Sequence, residues 1–276
     1  MSKAKVLFVS QTIEPYIEDG NISYMSRHLP QAIQERGKEI RTFMPRYGCV
    51  NERRYQLHEV IRLSGMNLIL NDSDHPLIIK VASIQAARMQ VYFIDNEEYF
   101  KRKFTFRDDK GKFYGDNDER MAFYCRGVIE TVKKLGWAPD VIHCQGWMTS
   151  LMPYYLKTLF NDDPIFANSK VVYSVYDNGF KEKLSKDFVG KLGLKDEWIT
   201  PELTQLNNAN YVDLTNFAIN MSDAVIYGSE KIDEDIEKTI AAIDKPVLGF
   251  QSVEDYADAY SAFYDELLIG EPALAQ

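Results

Sequence analysis

The chain predicts a doubly wound α/β fold with a mostly parallel sheet and an antiparallel β insertion. Three observations point to it. Short apolar runs, "KVLFVS", "DVIHC", "KVVYSVY" and "DAVIYGS", read as strands buried on both faces. Helical segments alternate with these strands, which is the order a parallel sheet with crossover connections requires. The 276 residues are 45% hydrophobic, enough for a large core.

The elements run in order along the chain. Val6–Val9 form the first buried strand, and a helix is expected over residues 21–37, with Pro30 as a kink or break and Gly37 as its close. "EIRTFMP" is a second strand. "HEVIRLS", "LIIKVASI" and "RMQVYFID" are β-rich and lack helical period. With Gly65 and "NDSDHP" as separators, they read as an antiparallel insertion of two or three strands ending at Val91–Ile94. Between Asp118 and Leu135, Met121, Tyr124, Cys125, Val128, Ile129, Val132 and Leu135 mark one face of an amphipathic helix. "DVIHC" is a strand, "WMTSLMPYYLKTLF" a helix and "KVVYSVY" a strand. Residues 180–210 are polar and irregular, with short helices at most. "YVDLTNFAINM" is a helix, "DAVIYGS" a strand, "EKIDEDIEKTIAAI" a charged helix and "KPVLGF" a short strand. From Ser252 on, Val253, Tyr256, Ala257, Tyr260, Phe263, Tyr264, Leu267 and Leu268 share a helical face, which fits a docking face better than a stacking platform.

A net charge of −9 disfavours a general nucleic-acid or anionic-membrane binder, though it leaves room for a local basic patch. The cysteines Cys49, Cys125 and Cys144 form no C-x-x-C, so reduced, mostly buried thiols are expected. The apolar part of "MSKAKVLFVS" is too short for a signal peptide, and no run reaches the about 18 apolar residues of a membrane span. A cytoplasmic protein is the expectation, with the sequons at Asn21 and Asn220 arising by chance.

No G-x-G-x-x-G, P-loop, H-E-x-x-H or G-x-S-x-G motif occurs. His28, His58, His75 and His143 are too dispersed for a metal cluster, and no metal or cofactor is expected. His143 sits near the end of a central strand, where open α/β sheets place ligands; a hydrogen-bonded core histidine is the equal alternative. In "YGDNDER", Tyr114, Asp116 and Asn117 precede a helix and Arg120 lies in its first turn. Asp116 or Asn117 can serve as an N-cap, a ligand contact or both.

The order of segments resembles the N-terminal half of the ADP-glucose-dependent glycogen and starch synthases, two-domain retaining glycosyltransferases of the GT-B architecture. "KVLFVSQTIEPY", "LPQAIQERGKEIRTFMPRYG", "VYFIDNEEYF", "YGDNDERMAFYCRGVIETV", "PDVIHCQGWMTSLMPYYL", "KVVYSVYDNGF" and "AINMSDAVIYGSE" carry the resemblance. It implies a Rossmann-like sheet, ADP-glucose as donor substrate, and site residues at Glu18, Gly20, Asn21, Tyr114, Asp116, Asn117, Arg120, His143 and Gln145, with Asp116 and Gln145 as the family-matched catalytic candidates.

The departures from the family pattern fall on its chemistry. A first-loop pattern like K-T-G-G-L meets Glu18, Asp19, Gly20, Asn21 and Ile22 here, so the lysine has become an acid. Glycines let backbone approach a phosphate and a lysine attracts it. Glu18 and Asp19 instead suit the positive end of a helix, which makes the loop a cap. The family's H-D-W reads Gln145-Gly146-Trp147, and glutamine cannot titrate. In "VYSVYDNG", Tyr173 stands where the resemblance implies another histidine.

The resemblance further implies residues 1–250 as a Rossmann-like GT-B N-terminal-type domain and 251–276 as a crossover-type helix docking on that domain. The residues after Ser229 do not fit the family's second domain, whose absence is expected. Three functions are compatible with this organisation. The first is a degenerate domain that binds sugar or glucan and is not catalytic alone. The second is an ADP-glucose:glucan glucosyltransferase completed by a partner chain or homo-oligomer through the former domain interface. The third is a regulatory or scaffold protein. Neither nucleic acid nor membrane is an expected partner.

Overall fold

The computed structural model describes residues 3–269. Parallel strands β1 (Lys5–Ser10) and β2 (Glu39–Pro45) are joined by α1 (Gly20–Glu35). The insertion comes next as β3 (His58–Glu59), β4 (Met66–Leu70) and β5 (Ser73–Ile84), leading to β6 (Met89–Asp95). Helices α2 (Glu97–Phe100) and α3 (Asn117–Leu135) precede β7 (Val141–Gln145), and α4 (Met152–Lys157) precedes β8 (Lys170–Val175). The long connection after β8 holds α5 (Phe188–Lys191) and α6 (Pro201–Thr204). Then come α7 (Tyr211–Met221), β9 (Ala224–Tyr227), α8 (Glu234–Ala242), β10 (Val247–Leu248) and α9 (Tyr256–Ile269).

The strand order is β10-β9-β8-β7-β1-β2-β6-β5-β3. From β10 to β6 every pairing is parallel; β5 runs antiparallel to β6, and β3 and β4 pair antiparallel with β5. The sheet is therefore mixed but mostly parallel, as its apolar runs require. One face buries Leu7, Val9, Ile142, Cys144 and Val171 against α3, α4 and α7. The other buries Val6, Phe8, Val141, Val172 and Ala224 with side chains of α1 and α9.

Several elements differ from expectation. The insertion has a further strand, β4. Asn71 and Asp72 both take left-handed φ, +49° and +56°, and form a two-residue hairpin turn. Only that pair is a loop, so His75 and Pro76 of "NDSDHP" lie within β5. The single helix expected over 147–160 is a 3₁₀ turn at Trp147–Thr149 followed by the short α4. Pro153 stands in the first turn of α4, where its missing N–H costs least, so the helix starts afresh there. Pro30, by contrast, lies inside a continuous α1.

Helix α9 starts at Tyr256, and Val253 is 60% exposed, outside the apolar face. Tyr260, Phe263 and Tyr264 are buried on the sheet. Just past α1, Lys38 Nζ donates to Ser261 Oγ at 2.8 Å and lies 2.9 Å from Asp265. Arg36 pairs with Asp258 at 2.7 Å. Cys125 and Cys144 are buried and Cys49 is exposed. Among the described residues no helix is long and apolar enough to cross a membrane.

Candidate functional site

The parallel strands all end at one edge of the sheet, and the loops after β1, β6, β8 and β9 meet there around a cleft of about 430 Å³. Gln11, Asp19, Gly20, Asn21 and Ile22 come from the first loop and helix. Phe106 comes from the segment after β6, Tyr176, Asp177, Asn178 and Gly179 from the loop after β8, and Ser229 from the loop after β9. Among the described residues no lysine or arginine lines it. Nor, among them, could any group of three or more His, Cys, Asp or Glu side chains hold a metal ion.

The first loop is tied down from several sides. Gly20 has φ +61°, a conformation suited to glycine. Asp19 stands at the N-cap position of α1, but its carboxylate does not cap the helix. It accepts from Thr12 Oγ1 at 3.3 Å and Gln11 Nε2 at 3.5 Å, while its own N–H donates to Ser23 Oγ at 2.8 Å. The acid thus braces its own loop, which corrects the expected helix-capping role. Glu18 is exposed and lies outside the cleft lining. Asn21 Nδ2 donates to Gly228 O at 2.6 Å, linking the loops after β1 and β9 across the cleft.

Gly146 explains the Gln-Gly-Trp sequence. Its φ is +87°, and a Cβ there would lie 2.5 Å from Ile22 Cδ1 and 2.9 Å from Gln11 Cβ. The turn after β7 is packed against the first loop, and only glycine fits.

Gln145 and His143 do not reach the cleft. Gln145 is fully buried; its Oε1 accepts from Ser10 Oγ at 2.8 Å and Ser26 Oγ at 2.9 Å, and its Nε2 donates to Tyr176 OH at 3.4 Å. It supports the cleft wall from below through Tyr176. His143, on the same strand face, lies under α9. Ser174 Oγ is 2.6 Å from Nε2 and Tyr264 OH is 2.7 Å from Nδ1. Burial pushes its pKa down to about 3, so the ring is neutral. Of the two alternatives open at His143, the core histidine is the one found.

Tyr114, Asp116, Asn117 and Arg120 form a separate support. Asp116 occupies the N-cap position of α3 without a side-chain cap bond, because both its oxygens are taken by the Arg102 guanidinium. The Arg102 guanidinium lies over the Tyr114 ring, 4.4 Å from its centroid. Arg120 is fully buried, and burial lowers its pKa to about 10. It donates to Tyr99 O and Thr105 O, each at 2.7 Å, and to Asn117 Oδ1 at 2.5 Å. Asn117 Nδ2 in turn donates to Phe106 O at 2.9 Å. This cluster fixes the segment that presents Phe106; none of its four members lines the cleft.

Asn178 was not anticipated. It lies half-buried in the cleft wall, and neither its Oδ1 nor its Nδ2 has a hydrogen-bond partner. Both atoms are closed off from solvent, so the amide is left unsatisfied within the wall. Gln11, Phe106, Tyr176, Asp177, Gly179 and Ser229 were also missed. Most directly follow a predicted strand, the position where open α/β sheets bind ligands, so reading the residues after each strand would have found them.

The model of the starch synthase catalytic domain family matches residues 5–243. The chain belongs to that family. It is 35% identical over 222 residues to a glycogen synthase of Chlorobium luteolum, covering 77% of this chain and 45% of the relative. A glycogen synthase of Chlorobaculum tepidum is 34% identical over 222 residues, with 77% and 46% covered. The chain thus spans about half the length of these curated relatives. Among solved structures, the catalytic domain of starch synthase IV from Arabidopsis thaliana, bound to ADP and acarbose, superposes with a TM-score of 0.75. The superposition covers 91% of this chain and 52% of that one at 18% identity, a likeness of fold. The starch synthase family member described here is therefore a glycogen/starch synthase-like glycosyltransferase domain with a mostly parallel α/β fold.

Proposed function

We propose that this domain binds a neutral sugar or short glucan in the cleft and does not, by itself, hold ADP-glucose or transfer its glucose. The observation that carries this reading is the lining. Gln11, Asp19, Asn21, Asp177, Asn178 and Ser229 make its wall polar, and no cationic side chain among the described residues lines the cleft to hold a diphosphate. Hydroxyls need paired donors and acceptors, which amides and carboxylates supply. A diphosphate needs fixed positive charge, and Asp19 and Asp177 would repel it.

Calorimetric titration with maltooligosaccharides and with ADP-glucose tests the reading. Heat with the glucans and none with the nucleotide sugar is expected; tight ADP-glucose binding without a glucan response would sink it. Radiolabelled glucose incorporation into glycogen is expected to stay at background for the purified chain and for Glu18→Lys/Asn21→Gly. Repairing two loop residues relieves local repulsion but does not position a donor, an effect worth on the order of 7–11 kcal/mol at best.

A second reading, a glucosyltransferase completed by further protein, is favoured by the glycogen synthase relatives, which carry as much sequence again outside the matched span. Turnover that appears only when a donor-binding partner is added supports this second reading over the first.

A further inference from the structure

The part of the cleft wall that carries Phe106 and Gly179 continues into a basic lip. The chain has a net charge of −9, yet residues 101–112 hold six basic side chains against two acidic, and 181–186 hold three against one. Contacts between the two segments make them one surface. Arg107 Nη1 and Nη2 donate to the two Glu182 oxygens at 2.6 and 2.8 Å, and Phe113 stacks on Phe180 with centroids 5.0 Å apart. Trp147, from the turn after β7, packs on Phe106, Phe113 and Phe180 with centroids 4.9, 6.0 and 5.1 Å away.

These contacts neutralise Arg107 and Glu182 against each other and leave the lysines beside them. Lys112 precedes Phe113, Lys181 follows Phe180 and Lys183 follows Glu182, so all three border the same ring stack and ion pair. Each is exposed, and none has an ion pair among the described residues. The Asp108 carboxylate is turned onto its own loop, accepting from Lys110 N and Lys112 N at 2.9 Å each, while Asp109 is exposed. Phe106 and Gly179 line the cleft, one residue from Arg107 and two from Lys181, and two residues span at most about 7 Å.

Cleft and lip ask for different chemistry from one ligand. The cleft lining is polar and holds no cation among the described residues, which suits hydroxyls, and Asp19 and Asp177 repel a phosphate held between them. The lip attracts anions, and a phosphate monoester brings a charge of about −1.5 to −2 at pH 7 with three acceptor oxygens. Resting on the reading that the cleft takes glucan, we infer that its ligand is a phosphorylated glucan. An unsubstituted stretch lies in the cleft, and the sugar residues that leave it over the lip carry phosphate esters against Lys112, Lys181 and Lys183. A nucleic acid does not meet this pattern, because every residue of it is charged, including those the acidic cleft would receive.

Calorimetric titration with a maltooligosaccharide, and with the same oligosaccharide carrying phosphate esters at C6, tests the inference. The phosphorylated chain is expected to bind at least about tenfold more tightly at low salt. That advantage should fade as salt rises towards about 1 M, where screening acts over about 3 Å. Lys112→Gln/Lys181→Gln/Lys183→Gln, shown to be folded by circular dichroism, should bind the two glucans alike. Equal affinity of the wild type for both glucans, or a preference that survives salt and the triple substitution, overturns the inference and leaves the glucan reading standing. Failure of both glucans to bind sinks that reading and this inference with it. Inorganic tripolyphosphate binding as tightly as the phosphorylated glucan also overturns the inference, by making the lip a site for free polyanions.

Discussion

Beneath α9, each ring nitrogen of His143 has a hydroxyl partner. In the cleft wall, neither amide atom of Asn178 has one. His143 lies midway along β7, opposite Val172 of β8, and Asn178 lies in the loop after β8; Gln145 and Tyr176 stand between them. The buried cluster is closed on itself: its polar groups satisfy one another, so it contributes to the cohesion of α9 with the sheet and has nothing left for a ligand. The cleft is open and polar, and in its wall the Asn178 amide is left unsatisfied at a cost in free energy. Polarity near the end of a strand is therefore not a binding signal by itself.

Removing α9 by truncation before Ser252 is the strongest way to break the closed region. Tyr260, Phe263 and Tyr264 are buried, each stabilising by about 1.5–3 kcal/mol, and their loss exposes an apolar sheet face. Aggregation or a marked fall in Tm is expected; an unchanged Tm would show that the helix contributes little.

Acid acts on the same cluster. The unfolded chain protonates its histidine near the ordinary value of 6.5, the folded chain only near 3. Between those values the unfolded state binds more protons, so the contribution of His143 is intact above pH 6.5. It is lost as pH falls, at up to about 1.4 kcal/mol per pH unit. Urea unfolding of wild type and His143→Asn across this window should show the shallower pH slope in the variant.

A paired substitution sharpens the contrast. Tyr264→Phe leaves His143 Nδ1 without its partner and should cost about 1–3 kcal/mol of stability with glucan affinity unchanged. Asn178→Ala removes an amide that bonds to nothing, so stability should hold or rise while glucan affinity falls. If both variants lose stability and neither loses affinity, the division between closed and open regions fails.

The smallest effect is expected at Asp116→Asn. The pair with Arg102 is partly exposed on both sides, and such pairs are worth about 0.2–1 kcal/mol. Its test is a small shift in unfolding midpoint with little change in glucan binding, as suits a support behind Phe106 and not a cleft residue.

Much of the fold was legible in the chain. The buried strands at 5–9, 140–144, 171–175 and 223–227 lie within a residue of β1, β7, β8 and β9, because a strand covered on both faces must be a continuous apolar run. Helix α3 was legible for the matching reason, a 3.6-residue period with one apolar face. Strand β4 was not, since "MNLIL" after Gly65 is short and its hairpin turn uses Asn-Asp, a pair that also reads as an ordinary loop. The first loop was legible because a strand end followed by a helix start locates a loop by sequence alone, with Gly20 and Asn21 opening α1 at its end.

Which polar residues face the cleft was settled only by tertiary structure. His143 and Gln145 lie two apart on β7 and so share a face, but whether that face meets solvent or another helix depends on α9, more than a hundred residues away. Asp116 has the residue type and position of a helix cap, and Arg102 draws its carboxylate elsewhere. Asn178 gains its significance from what does not surround it. Local sequence determines backbone hydrogen bonding and periodicity because those interactions span a few residues. The satisfaction of a polar side chain is a property of everything that packs around it, and here those neighbours come from distant parts of the chain.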